Sequence, residues 1–148
     1  MRSWRCCAAT TTDVALVDTN VLLDLFTNDP IWGDWSARQL RSLSAQGRLM
    51  INAVVYAELS VGYSRLEDLN AALVTTGVDL VETPRPALFL AGKAFQRCRA
   101  RGGTRTGVPP EFFIGAHAVV QGLSLSTRDA RRYRSYFPDI MLIAPGDA

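Results

Sequence analysis

Four carboxylates and one histidine have the types and placement for hydrolytic or proton-transfer chemistry: Asp18, Glu58, Glu111, Asp129 and His117. His117, the only histidine, stands six positions after Glu111 in "PPEFFIGAHAVV". On a helix six residues turn through about 600°, so the two side chains point about 120° apart and do not form an acid–histidine pair. Phe113, Ile114 and Val120 surround the imidazole in sequence, and it reads as helix packing with a hydrogen bond to offer behind a site.

Each acid has both a structural and a chemical reading. Asp18 closes the apolar run "VALV" and opens a helix, where it serves as an N-cap or as a carboxylate on a rigid mount. Glu58 in "AVVYAELSVGY" shares a helical face with Val54, Val55 and Val61, so it requires water, a partner or a cation. Glu111 follows Pro109 and Pro110 in a first helical turn, where the helix dipole favours an acid. Gly115 and Ala118 on its face leave room for close approach. Asp129 follows a strand in "LSLSTRD", beside the hydroxyl of Thr127. Gathered in one pocket, four bare carboxylates would repel one another. A divalent cation with hard-oxygen preference, Mg²⁺ or Mn²⁺, resolves that conflict and can activate water against a phosphoryl group.

The elements that would gather them alternate. Apolar strands are expected at 14–18, 49–52, 78–82, 123–127 and 140–145. Helices are expected between them at 19–26, 32–47, 53–63, 65–77, 87–103 and 111–122, and "RDARRYRSYF" reads as a loop with a helical turn. This pattern predicts an α/β class with a mainly parallel sheet covered on both faces. In such sheets sites form beyond the C-terminal strand ends, where Asp18, Asn52 and Thr127–Asp129 would lie.

The 148 residues suit one domain, with 48% apolar and 20% charged residues. The first dozen residues are expected to be a tail, and 13–148 a single α/β domain. Cys6, Cys7 and Cys98 form no CxxC pattern, and a reducing cytoplasm is the expected compartment. From Arg97 to Arg134, eight arginines face only two acids, a local excess of +6 in a chain of net charge +2. A phosphate-bearing partner and a general preference for arginine over lysine both account for this. There is no GxGxxG after the first strand, no GxxxxGK[ST], no GxSxG, and the DxD of an aspartyl phosphatase is broken by Asn20.

"VDTNVLLDLF", "INAVVYAEL", "PPEFFIGAHA" and "LSTRDARRYRSYFPDIMLIAP", in this order, resemble the PIN-domain ribonucleases, in particular VapC toxins of toxin–antitoxin pairs. The resemblance runs from Val14 to Pro145. It implies a three-layer α/β/α sandwich, a metal-binding quartet of Asp18, Glu58, Glu111 and Asp129, and support from Asn20 and Thr127. It also implies cleavage of transfer or ribosomal RNA with Mg²⁺ or Mn²⁺, a homodimer and a VapB-like antitoxin. Arg128, Arg131, Arg132 and Arg134 would border the RNA. The family's third acid is usually aspartate, so Glu111 is a departure: its extra methylene lengthens the reach and adds entropy to be fixed. The alternative is a PIN-like module that has lost metal and binds RNA or protein without cleaving.

Overall fold

The computed structural model describes residues 14–146; the expected tail, with Cys6 and Cys7, lies outside them. Chain order is β1 (Val14–Val17), α1 (Thr19–Phe26), α2 (Gly33–Gln46), β2 (Arg48–Ile51), α3 (Ala53–Ser60), α4 (Leu66–Thr76) and β3 (Val78–Leu80). There follow α5 (Arg85–Ala100), α6 (Pro110–Gln121), β4 (Ser124–Ser126), α7 (Ala130–Tyr136) and β5 (Met141–Ile143). The segment after β4, expected as a loop with one helical turn, is thus a seven-residue helix. Asp129 caps it by accepting from the Arg132 amide.

The strands form one sheet in the order β3-β2-β1-β4-β5, every neighbouring pair parallel. Leu16, Val17, Ile51 and Leu125 are wholly buried, as strands covered on both faces require. The α/β/α sandwich expected from the alternation is the architecture present. Gly77 and Gly122 end α4 and α6 with φ of 74° and 63°, left-handed conformations that release each chain into the next strand.

The strand order has one functional consequence. β1 leads to β2 and β3 on one side, whereas β4 and β5 add on the other, so the C-terminal ends of β1 and β4 open a crevice at the switch point. Val17 lies level with Ser126, which sets Asp18 beside Thr127.

Candidate active site

Asp18 occupies this crevice and does both things its sequence position allowed. One oxygen accepts from the Thr19 amide at 2.8 Å and caps α1. The other accepts from Thr127 Oγ1 at 2.7 Å and from Asn20 Nδ2 at 3.2 Å. Thr127 Oγ1 also accepts from the Asp129 amide at 3.0 Å, so one hydroxyl ties the acid after β1 to the backbone of the acid after β4. Asn20 completes the link by accepting from the Arg128 amide at 3.3 Å. Asn20 and Thr127 are therefore positioned around Asp18.

Burial raises the Asp18 carboxyl from 3.8 to about 6, against the opposing hydrogen bonds from Thr127, Thr19 and Tyr133. The Tyr133 hydroxyl is held well above its ordinary value, first by burial and then by the charge of Asp18. It is a proton donor to this carboxylate and was not foreseen: nothing in "RRYRSY" marks one tyrosine as buried.

Asp18, Glu58, Glu111 and Asp129 all line one open cavity of about 220 Å³, with Asn20, Arg132 and Tyr133. The four acids thus converge across positions 18 to 129. Glu58 accepts from Thr19 Oγ1 at 2.7 Å. Val61, expected on the core side of Glu58, is instead 88% exposed because α3 ends at Ser60 and Val61 lies past its last turn. Glu111 Oε1 lies 3.8 Å from both Arg105 Nη1 and Arg132 Nη1, and Asp129 lies 3.2 Å from Arg132 Nε. Each carboxylate therefore has a protein partner. Among the described residues no group of three or more His, Cys, Asp or Glu side chains is gathered as closely as a metal ion would require.

The four arginines assigned to an RNA border differ in their surroundings. Arg131 and Arg134 are exposed, and Arg132 reaches the cavity. Arg128 turns inward: Nη2 donates to Asp24 Oδ1 at 2.9 Å, Nε lies 2.6 Å from Oδ2, and the guanidinium stands 5.3 Å from the centre of the Trp32 ring. Asp24 is buried and also accepts from Ser36 Oγ at 2.8 Å. One hydrogen bond from Nη2 and the charge of the neighbouring Nε compensate this buried carboxylate, which accounts for the direction of the side chain.

His117 is fully buried. Asn52 Oδ1 accepts the Val54 and Val55 amides and caps α3, so its amide group faces His117 Nδ1 at 3.3 Å. His117 Nε2 lies 2.9 Å from Gln121 Oε1. A neutral ring protonated at Nε2 satisfies both contacts, and burial lowers its basicity. The imidazole braces the start of the Glu58 helix and does not line the acidic cavity. The room left by Gly115 is taken by protein: a Cβ there would come within 2.5 Å of Phe137 and 3.2 Å of Tyr133. Its lack of a side chain lets these rings close on α6.

A family model for the PIN domain matches residues 15–138. Among solved structures the chain is similar to VapBC2 from Rickettsia felis bound to a DNA fragment from their promoter, with TM-score 0.68 and 18% identity over 88% of this chain and 98% of that one. It is similar to VapBC-1 from nontypeable Haemophilus influenzae, with TM-score 0.66 and 20% identity over 88% and 97%. It is also similar to Mycobacterium tuberculosis VapC20, a Sarcin-Ricin loop cleaving toxin, with TM-score 0.50 and 16% identity over 75% and 86%. At these identities the likeness is one of fold. No curated protein sequence matches the chain.

Proposed function

The chain belongs to the PIN-domain family, and from that premise we propose that it is a divalent-metal-dependent endoribonuclease, the toxin of a type II toxin–antitoxin pair. The observation that carries this reading is the convergence of Asp18, Glu58, Glu111 and Asp129 on one cavity at the β1–β4 crevice. Carboxylate oxygens with no cysteine or histidine among the lining residues suit Mg²⁺ or Mn²⁺. Mg²⁺ retains several waters, so acids that stand apart fit as ligands through water as well as directly.

A bound divalent ion supplies Lewis acidity toward a phosphodiester and a water of lowered pKa. The protein's own share is positional. Thr127, Asn20 and Tyr133 fix Asp18 while donating to it, and Thr127 couples it to Asp129. Glu58 enters from α3 and Glu111 from α6. Arg132 pairs with Glu111 and Asp129; with a metal compensating those acids it would face phosphate, with Arg131 and Arg134 at the border. Arg128 acts from behind, through Asp24.

Transfer or ribosomal RNA is the proposed substrate class, in line with the loop-cleaving activity named for the Mycobacterium tuberculosis neighbour. The VapBC complexes among the neighbours support a VapB-like antitoxin, and a homodimer in a cytoplasmic setting is proposed with it. No helix among the described residues is long and apolar enough to cross a membrane.

One observation favours a second reading: Arg105 and Arg132 already pair with Glu111 and Asp129, and among the described residues no three acids lie as close together as a metal ion would require. On that reading the domain binds RNA or protein without cleaving. Purified protein incubated with total RNA, with and without Mg²⁺ or Mn²⁺, separates the two. Metal-dependent cleavage that disappears in Asp18→Asn supports the nuclease; absent or metal-independent cleavage supports the binding module.

A further inference from the structure

Beyond the acidic cavity, a cleft of about 350 Å³ lies between the C-terminal half of α5 and the end of α7. Ala94, Arg97, Cys98 and Arg101 line one wall, spaced three and four apart so that they share one helical face. Ser135, Tyr136 and Pro138 form the other. No ion pair engages Arg97 or Arg101 among the described residues, unlike Arg132 and Arg128.

Residues bordering this cleft lead toward the acidic cavity. A smaller cleft of about 190 Å³ shares Cys98 and Tyr136 with it and is also bordered by Arg105. Arg105 in turn approaches Glu111, and Arg132, which lines the acidic cavity, is one helical turn before Tyr136 on α7. Among the described residues no acid lines either cleft. The Tyr136 ring is stacked on Phe112, centroids 4.3 Å apart and planes 26° apart, so it is held rigidly by the core.

We propose that the α5–α7 cleft is a subsite for single-stranded RNA flanking the scissile phosphate, with Arg97 and Arg101 on phosphates and Tyr136 against a base. This rests on the nuclease reading for its substrate. Two unpaired guanidiniums one turn apart suit successive phosphates, and a braced aromatic ring offers a stacking surface that any base can use. The base must be free of a duplex to reach that ring, which selects loops or single strands.

The test uses the full chain in EDTA, so that binding is measured without cleavage. Anisotropy of a labelled single-stranded oligoribonucleotide is followed against salt for wild type, Arg97→Gln/Arg101→Gln, Tyr136→Leu and Tyr136→Phe. The double variant is expected to bind at least roughly tenfold more weakly, with a log–log salt slope reduced by about 1.4 for two lost phosphate contacts. Tyr136→Leu is expected to weaken binding about fivefold or more, with Tyr136→Phe close to wild type because the ring remains. Arg38→Gln/Arg41→Gln on α2 serves as the control that leaves affinity unchanged. An unchanged slope in Arg97→Gln/Arg101→Gln overturns the subsite. So does competition by poly-glutamate equal to that by RNA with no effect of Tyr136→Leu, which would assign the cleft to an acidic protein. Failure of the nuclease reading shows separately, as absence of cleavage when metal is restored.

Discussion

Arg128 and Asp24 form a buried ion pair 104 residues apart in sequence, joining the loop after β4 to the middle of α1. The Asp24 side chain is 3% exposed and that of Arg128 29%, so water reaches the pair from one side only. The pair has a direct bearing on the acids. The Arg128 amide is bonded to Asn20, which is bonded to Asp18, and Asp129 is the next residue. The guanidinium thus anchors the one loop that carries both Thr127 and Asp129.

Removing Arg128 leaves Asp24 buried with only Ser36 as a side-chain partner. Arg128→Ala is expected to destabilise the fold by about 3 kcal/mol, the lower end for breaking a buried pair because Arg128 is partly solvated. Asp24→Asn/Arg128→Ala should recover part of that loss, since no buried charge is stranded. Urea denaturation of the two single variants and the double variant checks this; additive losses would show that the two groups act independently.

Asp18 gives a pH dependence whose sign is opposite to that of a salt-bridged acid. Its folded value of about 6 exceeds the ordinary 3.8, so the folded chain holds this proton more tightly than the unfolded one. Its contribution to stability is therefore full below about pH 4 and is lost as pH rises to about 6, a change of about 3 kcal/mol at 1.36 kcal/mol per pH unit. Metal-free Asp18→Asn should lose this component, which shows as a smaller fall in urea midpoint between pH 4.5 and 7.5 than in wild type. Equal falls in the two proteins would place the Asp18 proton elsewhere. Mg²⁺ or Mn²⁺ should stabilise wild type more at pH 7.5 than at pH 5, because binding requires the carboxylate to release that proton.

What was legible in the sequence follows from which interactions are local. The strands and most helices were visible because apolar runs, caps and glycine stops act within a few residues, as at Asp18 and Gly122. The acids Asp18, Glu58, Glu111 and Asp129 were visible as candidates, and the parallel sheet implied by the alternation brought them to one crevice. The partners of Arg128 and Asp24 were not. An acid inside the apolar "NVLLDLF" signals a buried partner, yet its identity depends on how α1 meets a loop beyond residue 120. Tyr133 was hidden for the same reason: its depth arises from the glycine at 115 on another helix. Helix α7 was expected only as a helical turn because its three arginines mask any apolar face in so short a segment.

Glu111 is the departure whose weight is measurable. Its carboxylate lies between Arg105 and Arg132, 3.8 Å from each, longer than a close ion pair and open to exchange for another cation. Glu111→Gln is expected to raise the metal concentration for half-maximal cleavage roughly 10–100-fold, as for other groups that support a metal site. Glu111→Asp should retain cleavage with a severalfold shift in that concentration, since the charge persists while the reach shortens. Metal titrations of RNA cleavage measure both; no shift in either variant would remove Glu111 from the site.

His117 is the residue whose chemistry is most easily mistaken for catalysis. It is neutral, fully buried and bonded to Asn52 and Gln121, with no face on the acidic cavity. His117→Leu leaves the Asn52 amide group unpaired and should cost about 1–3 kcal/mol of stability. Because Asn52 caps the helix that carries Glu58, part of that cost should appear as weaker metal binding. The pH profile of cleavage at saturating metal should keep its shape, because no proton passes through this ring. A profile that loses one limb in His117→Leu, measured well below the variant's melting temperature, would return His117 to the reaction as an acid or base.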